Sequence, residues 1–168
     1  NYSPDKESLT SFNRISTANS TLTDNSVYCF APSTTGKLWI GTENGINYYS
    51  YKSKQLKEFP VVADNKKVKY VHSINELNDT TLWVSTVGEG IVKVILNNTG
   101  SSPAVKSATR IVLDKGRMAS NYFFTSFQES DSILWFGNRG YGAYRLNVET
   151  GEMTPYKFDD VVKSQTAN

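Results

Sequence analysis

Few side chains in this sequence could do covalent or acid–base chemistry, and their number limits what that chemistry could be. His72 is the sole histidine and Cys29 the sole cysteine among 168 residues. A Ser-His-Asp triad, a Cys-His pair or a multi-histidine zinc site would have to be built around these single groups. Hydrolytic chemistry is therefore not expected. One cysteine allows neither an internal disulfide nor a thiolate cluster, and the apolar run Val27-Tyr28-Cys29-Phe30 makes Cys29 read as a small buried hydrophobe. His72 reads as a packed, hydrogen-bonded histidine of an inner strand, with a channel ligand as the alternative. Asp159-Asp160 has the composition of paired catalytic carboxylates. It follows the last expected strand in a polar tail and reads as a solvated turn. No catalytic residue, metal ligand or cofactor is expected of this segment.

Charge is equally uninformative about chemistry. The formal net charge of +2 does not argue for nucleic acid, and the densest basic stretch, Lys66-Lys67-Val68-Lys69, reads as a solvated loop leading into a strand. No stretch approaches the ~20 apolar residues that span a bilayer, so no membrane contact is expected. Asn1 is preceded by no initiator Met or signal peptide and reads as a cut end.

The elements are clearer than the chemistry. Aromatic residues make up 12% of the chain, and together with the frequent Val, Ile and Thr they fit a pleated, half-buried surface. Runs of strong helix formers at a period of 3.6 are missing, so the expected fold class is all-β. Leu38-Trp39-Ile40-Gly41-Thr42 recurs as Leu82-Trp83-Val84-Ser85-Thr86 and as Leu134-Trp135-Phe136-Gly137-Asn138. All three tryptophans sit in this motif, 44 and 52 residues apart, close to the ~40–50 residues of a propeller blade. The polar stretch Asn97-Asn98-Thr99-Gly100-Ser101-Ser102-Pro103 accounts for the longer interval.

The flanks repeat with it. Strands are expected before each tryptophan at Val27-Tyr28-Cys29-Phe30, Val71-His72-Ser73-Ile74 and Tyr122-Phe123-Phe124-Thr125-Ser126-Phe127. Strands after it open at Gly45, Gly90 and Gly142, and Asn44-Gly45 predicts a type I′ turn. A fourth strand is expected at Leu56-Lys57-Glu58-Phe59, Thr109-Arg110-Ile111-Val112-Leu113 and Met153-Thr154-Pro155-Tyr156-Lys157-Phe158. In Leu38-Trp39-Ile40 successive side chains face opposite ways and all are apolar, so the sheet must be covered on both sides. Stacked blades do this. Gly41 and Gly137 would leave room for a large side chain of the adjacent blade, and Ser85 keeps that position small. The expected architecture is a β-propeller fragment of three four-stranded antiparallel blades, at 24–60, 66–114 and 120–158. Residues 1–12 supply the outer strand of a preceding blade through Leu9-Thr10-Ser11-Phe12, and 159–168 form a polar tail or a linker to the next blade. Three blades do not close a ring, so the remaining blades of a longer chain, or a second copy, are expected partners.

Leu22-Thr23-Asp24-Asn25-Ser26-Val27, followed by Gly36-Lys37-Leu38-Trp39-Ile40-Gly41-Thr42-Glu43-Asn44-Gly45-Ile46, resembles the two-component regulator propeller repeat. The second repeat departs from that pattern at Ser85, and the third has Asn138 in place of threonine. The resemblance implies the periplasmic sensor part of a membrane-spanning hybrid histidine kinase/response regulator of the Bacteroidetes type, with oligosaccharides as the usual signal. The segment itself is then not an enzyme, although its parent is a histidine kinase. A protein-interaction scaffold is the competing reading.

A ligand on a propeller generally meets one end face, where the loops entering the first strands and joining strands two and three gather. That face is expected to collect Asn44, Glu89, Arg139 and Tyr141, with Tyr70 and Tyr122 at the starts of the innermost strands. Planar polar groups and aromatic rings suit a glycan. For each loop residue, simple solvation is the competing reading, and Tyr122 could equally be core. The three tryptophans, at one equivalent position and flanked by apolar residues, read as structural.

Overall fold

In the computed structural model, residues 22–97, 102–113 and 121–157 are described. The expected strand at 9–12, most of the polar insertion and Asp159-Asp160 lie outside them. The described chain forms three four-stranded antiparallel sheets. The first contains β1 (Val27–Pro32), β2 (Lys37–Thr42), β3 (Gly45–Ser50) and β4 (Gln55–Phe59). After a ribbon of β5 (Val62–Ala63) and β6 (Lys66–Lys67) comes the second, with β7 (Val71–Asn78), β8 (Thr81–Thr86), β9 (Ile91–Asn97) and β10 (Ala104–Ile111). The third contains β11 (Phe123–Gln128), β12 (Ile133–Asn138), β13 (Gly142–Asn147) and β14 (Met153–Tyr156). Strands pair in sequence order within each sheet, and β7 packs against both β1 and β11. The first strands thus lie innermost and the fourth outermost, the arrangement of propeller blades.

The core lies between blades. Trp39, Ile46, Tyr48 and Phe59 of blade 1 pack with Val71, Ile74, Leu82, Val84, Val92 and Val94 of blade 2. Trp83 and Ile91 of blade 2 pack likewise with Phe123, Leu134, Phe136, Tyr144 and Leu146 of blade 3. Every residue of β8 is buried, which explains why both of its faces had to be free of charge. Trp39 and Trp83 each point toward the following blade. Trp39 has no exposed surface, and its Nε1 donates to the Glu76 carboxylate of β7 in the next blade. The same carboxylate accepts from the Ser33 and Thr34 hydroxyls at 2.9 and 3.1 Å, so one acidic side chain ties the first blade to the second.

The structure corrects four local expectations. Lys66-Lys67-Val68-Lys69 is not simply a solvated loop. Lys66 and Lys67 pair with Ala63 and Val62, Val68 is buried, and Lys67 Nζ meets Glu58 Oε1 at 3.0 Å. Residues Asp64 and Asn65 close this ribbon with φ of 52° and 60°, so the type I′ geometry is found here. The turn between β2 and β3 is instead the pair Glu43-Asn44, and its positive φ falls on Gly45 alone. The fourth strand of the second blade runs over Ala104–Ile111 rather than 109–113, because the long β9 pairs as far as Asn97↔Ala104. Finally, a Cβ on Gly41 would lie 2.5 Å from Cys29 Sγ and 2.7 Å from the Val71 carbonyl oxygen, and one on Gly137 would lie 2.6 Å from Thr125 Cγ2. These glycines admit small neighbours and a close backbone, not a large side chain.

Candidate ligand face

The loops that enter the first strands and the hairpins joining strands two and three are held to one another by backbone hydrogen bonds. Tyr70 N–H donates to the Glu43 carbonyl of the first blade's hairpin at 2.8 Å, and the Tyr70 carbonyl accepts from Val87 N–H of the second at 3.1 Å. Tyr70 makes both bonds from a left-handed conformation, φ 51°, uncommon for a non-glycine residue. At the next seam the Asn121 carbonyl accepts from Gly88 and Gly90, at 3.1 and 3.2 Å. Leu22-Thr23-Asp24 gains its meaning in the same region. Leu22 plugs the outer face of blade 1, Thr23 Oγ1 donates to Asn47 Oδ1 at 2.7 Å, and Asp24 accepts from Ser26 N–H in an Asx turn.

The six residues expected to meet ligand are all on this face, but in different states. Asn44 is half-buried and its Nδ2 reaches the Thr23 carbonyl at 3.5 Å. Glu89 is engaged by Arg110, whose Nη1 lies 2.8 Å from its carboxylate, and it also accepts from Lys69 N–H at 3.3 Å. The Arg110 side chain is itself buried and reaches Asp64 and the Ala63 carbonyl, so the ribbon, the hairpin and β10 form one cluster. Tyr141 packs partly against the second core cluster, and Tyr122 is half-buried, bridging Val87 through its backbone. Tyr70 and Arg139 are exposed. Arg139 lines a depression of about 410 Å³ with Phe124, Thr125, Gly137 and Asn138.

One group on this face was not singled out as a set from the sequence. Tyr28 and His72 stack with ring centroids 4.2 Å apart and planes 15° from parallel. Phe124 also meets His72, edge-on with ring centroids 4.9 Å apart. Tyr28 Oη donates to Glu43 Oε2 at 3.3 Å. Partial burial first, and then the Glu43 charge, push the phenol pKa up. Desolvation between two rings pushes the His72 imidazole down from its usual value. The packing expected of His72 is thus aromatic contact. The signal was in the sequence: each of the three residues directly follows the first apolar residue of its inner strand, Val27, Val71 or Phe123.

Elsewhere the chemistry is sparse. Burial pushes the Cys29 thiol up to about 11, against a weaker opposing hydrogen bond from Gly41, so it is a poor nucleophile at neutral pH. Among the described residues no group of three or more His, Cys, Asp or Glu side chains could hold a metal ion. None of their helices is long and apolar enough to cross a membrane.

Comparison with known proteins agrees with this architecture. Residues 21–44 match the family described as two component regulator propeller. This stretch is a two component regulator propeller repeat. Over 132 residues the chain is 30% identical to histidine kinase P4 of Formosa agariphila, covering 77% of the chain but 9% of that relative. Among solved structures it is similar to the extracellular domain of a putative one component system from B. thetaiotaomicron, with a TM-score of 0.69 and 20% identity over 89% of the chain and 20% of that structure. A second, the extracellular domain of a putative hybrid two component system from the same organism, gives 0.62 and 19% over 79% of the chain and 17% of that structure. The fold is a β-propeller, and the chain spans a small part of each of these proteins.

Proposed function

We propose that this repeat-bearing chain is a non-catalytic propeller segment of the extracytoplasmic, periplasmic sensor region of a hybrid two-component receptor, and that an oligosaccharide is its signal. The observation that carries the reading is the cross-linked end face, where hairpins and entry loops of successive blades are hydrogen-bonded and exposed aromatic and charged side chains gather. The similarity to a histidine kinase and to extracellular domains of two-component proteins supports it. In this reading Asn44, Glu89, Arg139, Tyr141, Tyr70 and Tyr122 belong to the recognition face, with Glu89 acting through its pairing to Arg110. Glycan binding would change signalling only through a difference in affinity between two arrangements of the receptor. A thermal-shift panel of oligosaccharides tests the reading, with a specific rise in melting temperature for one glycan as the expected result. A flat panel would overturn it.

A scaffold reading rests on a different observation. The outer face of blade 1 leaves an apolar groove of about 360 Å³ lined by Leu22, Val27, Phe30, Leu38, Ile40 and Leu56. A flat glycan panel, together with association through this face, would favour that reading.

A further inference from the structure

The three rings Tyr28, His72 and Phe124 are brought together by a repeated backbone irregularity. In the first blade the pairing of β1 with β2 slips between Val27 and Cys29. In the second, β7 slips against β8 between Val71 and Ser73. In the third, β11 slips against β12 between Phe123 and Thr125. The extra residue is Tyr28, His72 or Phe124. A bulge leaves its extra residue outside the ladder and re-aims its side chain. Here all three are re-aimed onto one another, across two blade seams, at the free inner edge of the sheets. Tyr28 and Phe124 remain 41% and 38% exposed. Buried rings would serve packing, whereas exposed rings kept in register by three bulges form a surface.

Its ends are polar and of opposite charge. The Glu43 carboxylate lies beside Tyr28, and Arg139 shares the depression beside Phe124. We propose that this ladder is a carbohydrate-binding strip, on which the apolar faces of successive sugar rings lie across the inner strands of three blades. Glu43 and the Tyr28 hydroxyl take sugar hydroxyls at one end, and Arg139 takes them at the other. Rings that are partly exposed, with hydrogen-bonding groups at the margin, fit a ligand that is itself apolar on its ring faces and hydroxylated at its edge. A purely apolar partner would strip water from Glu43 and Arg139 without replacing it. A nucleic acid would bring phosphate toward the carboxylate. The strip deepens the sensor reading of the preceding subsection and rests on it.

The test uses the full chain and a panel of cello-, malto-, laminari-, xylo-, arabino- and chito-oligosaccharides, followed by calorimetric titration of the glycan that binds. Phe124→Ala and Tyr28→Ala are expected to weaken binding about tenfold or more. Phe127→Ala is the control and is expected to bind as the parent does, because Phe127 is on the same strand, is 66% exposed and lies outside the ladder. Should an alanine variant fold poorly, Phe124→Leu keeps apolar bulk without the ring and is expected to lose affinity at an unchanged melting temperature. A glycan that binds the parent and the ladder variants equally overturns the strip while leaving the sensor reading in place. Absence of binding by every glycan overturns both.

Discussion

Trp39 and Trp135 occupy the same position in the first and third blades, yet their surroundings differ. Trp39 is fully buried under blade 2, and its indole N–H is held by Glu76 of that blade. Trp135 is partly exposed, leans on Tyr156 of its own sheet at 5.1 Å and donates to Glu129 of its own blade. The equivalent to Glu76 in the second seam is Gln128, and Trp83 there is buried with its Nε1 unpaired. Identical motif residues therefore differ in burial and in hydrogen-bond partner according to the sheet laid over them. The tryptophan is a contact made by a blade to its successor, not a feature of a blade alone.

The sharpest way to break this comparison is to truncate both indoles. Trp39→Ala is expected to cost about 3–5 kcal/mol in denaturant unfolding and Trp135→Ala about 1–2 kcal/mol, since only the first leaves a closed cavity. Equal costs would mean that the seam does not set the weight of the residue. Next in size is a test of how far blade 3 depends on its own sheet. Gly142 has φ 82°, and an added Cβ would sit 2.1 Å from the Tyr156 carbonyl oxygen, so Gly142→Ala must push β14 outward. A loss of about 2–3 kcal/mol is expected. Gly140→Ala, at φ 84° with open space around it, should lose only about 1 kcal/mol.

Glu76→Ala removes the acceptor of the Trp39 indole and should cost about 1–3 kcal/mol, with Glu76→Gln costing less because an amide oxygen still accepts. The same measurement on Gln128→Glu sharpens the comparison from the other side, with a small gain expected where Trp83 now lacks a partner. The smallest effect is the pH response of His72. Its pKa is lowered in the folded state, so the unfolded chain binds the proton first as pH falls. The contribution is intact above the unfolded value of about 6.5 and is lost as pH falls from there through the lower folded value. Denaturation at pH 7.5 and 5.0 should show a larger acid-induced loss for the parent than for His72→Phe.

How much of this was legible in the sequence varies by region. The tryptophan motif and the strands beside it could be read because both faces of β2, β8 and β12 need apolar cover, and that requirement leaves a continuous run. The ribbon over 62–67 could not be read from hydrophobic pattern, since each of its strands is two residues long. Its only mark was Asp64-Asn65, a pair that tolerates left-handed backbone. The order of β10 was obscured because an outer strand alternates weakly and its start depends on how far β9 extends. The end face as a location followed from blade topology, but the engagement of Glu89 by Arg110 joins residues 21 apart through the fold and has no local pattern. The ladder was hidden for another reason. A bulge is a property of the pairing between two strands, and neither strand carries it alone.

The directional seam has one further consequence. Each sheet has a donating side, bearing the tryptophan, and a receiving side, bearing residues such as Val71, Leu82 and Val84. Such surfaces are heterologous, so they join head to tail, and two donating sides brought together would set indole against indole. Stacking of this kind has a polarity, like a chain of hooks and eyes, and whether it ends is decided by rotation per step rather than by saturation of the surface. A ring that returns to its start uses every hook. An array that does not return presents a tryptophan-bearing side at one end and a receiving side at the other, and on blade 1 that receiving side carries the groove of about 360 Å³.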